Sequence, residues 1–124
     1  MASFFSRMMV AAERWLEGRP GYQIFGGQRR SSAWPRVRAE WLADNPCCEA
    51  CGGTDGVEVH HVVPFHERPD LELCKSNLMT LCESGPGGMN CHLVLGHRGN
   101  WKLINPGVRL FAVKFRRMLE GLSV

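Results

Sequence analysis

At 124 residues the chain has the length of one small domain. Its formal charge of +3 is a mild basic excess, too small alone to single out a partner, although arginine, the better bidentate phosphate ligand, supplies 12 of the 15 basic residues. No stretch approaches a membrane span, and Met1–Leu16 carries Arg7 and Arg14 where a secretory signal needs an unbroken apolar run, so a cytoplasmic protein with no membrane role is expected.

In chain order, Phe4, Phe5, Met8, Met9, Ala12, Trp15 and Leu16 fall on one face of a helix that Gly18 and Pro20 end, a stripe that reads as core or as a partner contact. Gly21–Arg30 is a connector without a clear period. Ser31 and Ser32 are candidate N-caps of a second helix carrying Trp34, Val37 and Trp41 on one face, which Asn45-Pro46 stops. Arg29, Arg30, Arg36 and Arg38 flank it. Cys48-Glu49-Ala50-Cys51-Gly52-Gly53 has the form of a metal knuckle, and Asp55-Gly56 of a turn. Val57–Val63, bounded by Pro64, is a predicted strand. Phe65–Ser76 is a polar loop, long for so small a domain. Leu78–Leu81 is a second short strand, and Cys91–Leu95 the opening turn of a helix that Gly96 ends or kinks. Val108–Leu122 is a last amphipathic helix, made basic by Arg109, Lys114, Arg116 and Arg117.

The stretch Ala43–Asn100 is rich in glycine, proline and cysteine, and a core that thin needs a staple. Closely spaced cysteines in a cytosolic chain are better read as zinc ligands than as disulfides. Cys48/Cys51 and Cys82/Cys91 supply the four thiolates of a closed, structural zinc site. Cys47 can replace Cys48 in principle, but only Cys48 keeps the two-residue gap to Cys51. Cys47 and Cys74 are otherwise expected to be small buried hydrophobes.

His60 and His61 close the first strand. Neighbours on a strand point to opposite faces, so the two divide the labour: one ligates a metal and the other works as a base. His92 follows directly on a zinc cysteine, and the three together point to chemistry as well as to a fold.

The runs Glu58-Val-His60-His61-Val-Val-Pro64, Asn77-Leu-Met-Thr-Leu81-Cys82 and Cys91-His92 resemble the HNH endonuclease family. The resemblance extends over about Arg30–Asn105 through Arg30-Ser31-x-x-Trp34-x-x-Val37-Arg38 and Gly96-His97-x-Gly99-Asn100-Trp101, the last similar to a subgroup common in phage and prophage genes. It implies an α+β protein, a small ββα-metal (HNH or His-Me finger) core stapled by a structural zinc, with flanking helices. Residues 1–28 are then an N-terminal helix and connector, 29–105 the nuclease domain, and 106–124 a C-terminal basic amphipathic helix.

The resemblance also implies roles. His60 and His92 are ligands of a catalytic divalent ion, His61 is the general base that takes a proton from water, and Asn77 pins the loop that orients it. Cys48, Cys51, Cys82 and Cys91 hold the structural Zn2+. Many relatives carry a histidine one helical turn after His92, where this chain has Gly96; His97, one residue later, is a ligand, a phosphate contact or a structural residue. The eight residues between Cys82 and Cys91 are a second departure from the commonest pattern. His66 is read as an exposed histidine.

The function expected is metal-dependent hydrolysis of DNA phosphodiester bonds, by nicking or double-strand cleavage, with low sequence specificity. Arg29, Arg30, Arg36, Arg38, Arg98 and Lys102, with the last helix, track the backbone of double-stranded DNA; RNA stays open as a substrate. The catalytic ion is Mn2+, Ni2+, Co2+, Zn2+ or Mg2+. Imidazole ligands suit the transition metals better than Mg2+, unless Asp70 or Glu72 adds an oxygen. A protein partner such as phage packaging machinery is a further expectation. The rival readings are a non-catalytic zinc-stapled DNA-binding module and a zinc-ribbon protein-interaction module.

Overall fold

A computed structural model of the chain describes residues 29–122. The helix expected over Phe4–Leu16 and the connector as far as Gln28 lie outside the described residues. The elements are helix α1 (Trp34–Asp44), strands β1 (Val57–His61) and β2 (Leu78–Cys82), one π-helical turn (His92–Gly96) and helix α2 (Val108–Leu122). Single 3-10 turns at Pro69–Leu71, Lys75–Asn77 and Pro86–Gly88 shape the connections. The result is an α+β fold, a two-stranded sheet with helices around it.

Helix α1 starts one residue later than serine caps would give. Ala33 is the cap residue. Ser31 instead closes a turn just outside the helix, its Oγ accepting the Ala33 amide at 3.1 Å and its carbonyl the Trp34 amide at 3.1 Å. Pro35 in the first turn supplies a preset φ where no amide is needed. At the far end Asn45 turns both its amide (2.7 Å) and its Nδ2 (3.1 Å) onto the Trp41 carbonyl, and Pro46 follows.

β1 and β2 pair antiparallel, in a register that runs from Val57 opposite Cys82 to His61 opposite Leu78. β2 is buried along its whole length, as its apolar sequence leads one to expect. On β1 the buried positions are the polar ones, Glu58 and His60. Glu58 is stabilised there by Arg38, whose guanidinium donates to Oε2 at 2.7 Å. β1 stops at His61, two residues before the expected Val63, because the Val63 amide leaves the ladder for the Asn77 side chain.

The outer edge of β2 is covered. Glu49 accepts the Thr80 amide on its carboxylate and donates its own amide to the Thr80 carbonyl, while the Arg109 guanidinium donates to the Leu78 carbonyl. Edge groups that would otherwise invite another strand are thereby taken up. The core gathers Cys48, Ala50, Met79, Leu81, Cys82 and Cys91 with Val108 and Ala112 of α2. The cysteine cluster is therefore the centre of the core, and α2 packs directly upon it.

Candidate active site and metal centres

Cys48, Cys51, Cys82 and Cys91 converge, their sulfurs all within 4.8 Å of one another. All six cysteines are free thiols. Cys51 Sγ and Cys82 Sγ stand 3.6 Å apart. That is far beyond a disulfide bond of about 2.05 Å. It is close to the ~3.8 Å edge of a tetrahedron with Zn–S of about 2.3 Å. The Cys48 and Cys51 pair is set by the knuckle itself, in which the Gly52 amide returns to the Cys48 carbonyl at 2.9 Å.

The wide gap before Cys91 closes upon itself. The Gly85 amide donates to the Met89 carbonyl at 2.8 Å, around a turn at Pro86–Gly88. A Cβ at Gly85 would stand 2.8 Å from Cys82 Sγ, so glycine is what lets this loop fold over the thiol. Cys47 and Cys74 stay outside the cluster. Contrary to the expectation of burial, Cys47 is exposed at the end of the α1 linker and Cys74 is only half-buried.

The electrostatics of the quartet call for a cation. The bond with Cys91 draws the Cys48 thiol down to about 4, and the same bond pushes Cys91 up. Burial holds Cys51 at about 11. Without a positive ion, ionising one thiol makes the others harder to ionise; a closed set of four thiolates is the donor set zinc prefers.

The second cluster is His60, His92 and His97, whose ligand nitrogens also lie within 4.8 Å of one another. β1 delivers His60, and the π turn delivers the other two. His92 Nε2 is 3.1 Å from His60 Nδ1. Around one ion at about 2.1 Å, neighbouring nitrogens sit roughly 3.0–3.4 Å apart. His92 donates its Nδ1 proton to Glu83 Oε1 at 3.1 Å, and His97 its Nδ1 proton to the Leu103 carbonyl at 2.9 Å. Both rings thus keep Nε2 as a lone pair. Burial, then the neighbouring imidazoles, lowers His60 to about 2, and burial lowers His97 as well. His60 and His97 are therefore neutral near pH 7, the form that can ligate a metal. His60 presents Nδ1 to the cluster; its other ring nitrogen, Nε2, is buried without a protein partner. The residues fit a divalent ion with imidazole ligands.

Gly96 sits under these rings, where a Cβ would stand 3.2 Å from both His60 and His92. The oxygen donors considered from sequence are elsewhere. Asp70 is held by Arg68 at 2.7 Å, and Glu72 accepts the Ser31 amide at 2.9 Å and faces Arg30.

His61 lies on the other side of β1. Its Nε2 proton goes to the Glu72 carbonyl at 2.9 Å, which leaves Nδ1 as the basic nitrogen. Its ring centroid is 4.6 Å from that of Trp34. Burial lowers it to about 4, so it is neutral near pH 7. Asn77 ties the intervening loop: Oδ1 accepts the Val63 amide at 2.8 Å, and Nδ2 donates to the carbonyls of Val63 (3.0 Å) and Leu71 (3.3 Å).

Of the basic residues, Arg30 packs over Phe65, 5.1 Å from the ring centroid, and pairs with Glu72 at 3.5 Å, while Arg38 pairs with Glu58. Arg29, Arg36, Arg98 and Lys102 are exposed. Arg36 lies 3.9 Å from Glu40. Two contributors to the site had no clear signal in sequence. Glu83 follows a cysteine of the first cluster just as His92 does, and that symmetry was the available clue. Trp101, noted in the sequence only as the end of the Gly96–Trp101 run, sets its ring 5.1 Å from His92 and 5.0 Å from His97.

No helix among the described residues is long and apolar enough to cross a membrane. Residues 48–98 match the family model of the HNH endonuclease, a span that holds both clusters. No curated protein and no solved structure matches the chain. The family match supports a nuclease function, with nucleic acid as substrate and a divalent metal in use.

Proposed function

Because residues 48–98 are an HNH endonuclease domain, we propose that the protein hydrolyses DNA phosphodiester bonds, nicking or cutting duplex DNA with low sequence specificity. In this reading residues 29–105 are the nuclease unit and residues 106–124 its basic C-terminal helix. The observation that carries it is the pairing of a neutral, anchored His61 with a cluster of three imidazoles, one of which, His60, is its neighbour on β1.

His61 is the general base. Its Nε2–H is engaged by the Glu72 carbonyl, so the ring presents Nδ1 to a water and takes its proton as that water attacks phosphorus. Such help is typically worth about 10²–10⁴-fold. Asn77 holds the chain on both sides of the loop that provides the Glu72 carbonyl, and so keeps the base in place. His60, His92 and His97 hold the divalent ion, which when bound supplies Lewis-acid stabilisation of the charge developing on the phosphate and the leaving oxygen. Cys48, Cys51, Cys82 and Cys91 hold a structural Zn2+. Arg29, Arg36, Arg98 and Lys102, together with Lys114, Arg116 and Arg117 of α2, contact the phosphate backbone, which gives affinity without sequence. Arg30 and Arg38 serve mainly through their internal ion pairs. A cytoplasmic setting and a phage packaging partner fit this activity.

The experiment is cleavage of supercoiled plasmid by wild type and His61→Ala, each with Mn2+, Ni2+, Mg2+ or EDTA. Relaxed or linear product from wild type alone, abolished by EDTA, is the expected result. Intact plasmid in every lane, from folded zinc-loaded protein, would overturn the reading in favour of a non-catalytic DNA-binding module.

A further inference from the structure

We infer that Glu83 is a positioning residue for the divalent site, fixing the proton of His92 on Nδ1 so that the Nε2 lone pair meets His60 and the ion. The inference rests on the reading of His60, His92 and His97 as that site, and it extends the design to the shell behind the ligands.

The geometry is specific. The Glu83 side chain is only 5% exposed, and Oε1 lies 3.1 Å from His92 Nδ1. The backbone of Glu83 is itself held, its amide donating to the Gly56 carbonyl at 2.7 Å. The carboxylate therefore does not sample the many rotamers of an exposed glutamate; it is aimed. Glu58, two residues before His60, is bound to Arg38, and Asp70 and Glu72 are bound to Arg68 and to Ser31 and Arg30. Among the described residues Glu83 is the carboxylate that bonds a histidine of the cluster.

A neutral imidazole has two tautomers, and only one of them offers a lone pair at Nε2. A carboxylate accepting from Nδ1 selects that tautomer, fixes the ring plane and raises the basicity of the ligand nitrogen. The chain accomplishes this with two dipeptides. Cys82-Glu83 and Cys91-His92 each place a sulfur in the first cluster and, beside it, one member of the carboxylate–imidazole pair, His92 in the second cluster and Glu83 behind it. Closing the cysteine cluster thereby brings Glu83 and His92 within bonding distance. Orientation of the divalent site is thus set from within the zinc-stapled core.

The test uses the zinc-loaded full chain and needs no DNA. Long-range proton–nitrogen spectra of ¹⁵N-histidine-labelled protein, before any second metal is added, should show the His92 proton on Nδ1; a proton on Nε2 would overturn the inference by itself. Titration with Co2+, followed by its visible absorption, should show affinity about 10–100-fold weaker in Glu83→Ala. Glu83→Gln, whose amide oxygen still accepts the Nδ1 proton, should recover most of that loss, with zinc content unchanged. Equal Co2+ affinity in wild type and Glu83→Ala would overturn the inference. If the alanine variant loses its zinc, the wild-type tautomer and a glutamine variant that binds Co2+ nearly as wild type carry the inference; a glutamine variant no tighter than His92→Ala defeats it. Failure here with plasmid cleavage intact removes only the role of Glu83, whereas absent cleavage with these spectra as expected removes only the nuclease reading.

Discussion

The amide of His97 is shared between the carbonyl of His92, 3.1 Å away and five residues back, and that of Leu93, 3.2 Å away and four back. An α-helix bonds four residues back and would set His97 roughly 140° around the axis from His92. The extra residue in a π turn widens the loop, and both rings come to face His60, with centroids 5.0 and 5.1 Å from it. A spacing unsuited to an α-helix thus becomes a pair of convergent imidazoles. The turn also explains why the position one helical turn after His92 is empty of a side chain: Gly96 is where the backbone passes under the rings.

Gly96→Ala should accordingly disturb the histidine cluster without touching the cysteines. Its Cβ would press on His60 and His92 at 3.2 Å, tighter than ordinary packing. We expect affinity for Ni2+ to fall about tenfold, comparable to the loss of an outer contact of a ligand, with zinc content and melting temperature nearly unchanged. Calorimetric titration with Ni2+ decides. Undiminished binding would mean that the turn has room to relax and that glycine is dispensable there.

How much of this was legible follows from which contacts are local. The Cys48–Cys51 knuckle and the amphipathic α2 declare themselves because a two-residue gap and a helical period are properties of neighbouring residues. His60 and His61 announced opposite faces, since a strand has a period of two. What stayed hidden depends on three-dimensional closure. The π turn is a departure from the helical period, invisible to any argument that assumes it. The loop from Glu83 to Asn90 returns Cys91 to Cys82 through a bond between Gly85 and Met89, which no spacing rule foretells. Glu58 stands between two valines on the strand and is buried, because Arg38 arrives from a helix 20 residues away to meet it.

Asn77 bonds both backbone groups of Val63 and the carbonyl of Leu71. Asn77→Ala leaves these groups without their partner, at about 1–3 kcal/mol each when water cannot reach them. A loss of about 2–4 kcal/mol in denaturant unfolding is expected, with cleavage slowed roughly 10²-fold as His61 loses its fixed placement. Asn77→Asp should be worse than alanine at pH 7, because a charged oxygen would then face two carbonyl oxygens. If alanine destabilises the fold yet leaves the cleavage rate of the folded fraction intact, the loop does not orient the base.

The two clusters should separate by mutation. On the proposed reading Cys48→Ser removes a zinc ligand from the centre of the core, and structural zinc contributes folding energy directly, about 10–16 kcal/mol in small zinc-binding peptides. That variant should lose zinc and its cooperative melting transition. His60→Ala should keep zinc, keep the transition and lose cleavage. Metal analysis and thermal melts on the same preparations make the comparison; loss of activity in both with zinc retained in both would mean that the clusters are assigned the wrong way.

The donor set makes a prediction about the ion itself. Mg2+ demands oxygen ligands in near-octahedral array, and the cluster offers three imidazole nitrogens with no carboxylate among them. The acids that could have changed this are occupied, Asp70 by Arg68 and Glu72 by Ser31, and Glu83 faces the far nitrogen of His92. Mn2+, Co2+ and Ni2+ accept imidazole readily. Initial rates of plasmid cleavage at equal free metal should therefore be higher with Mn2+, Co2+ or Ni2+ than with Mg2+, by about tenfold or more if ligand preference governs occupancy. Equal or faster cleavage in Mg2+ would require an oxygen donor to swing into the cluster, and removing Asp70, Glu72 and Glu83 one at a time would show which.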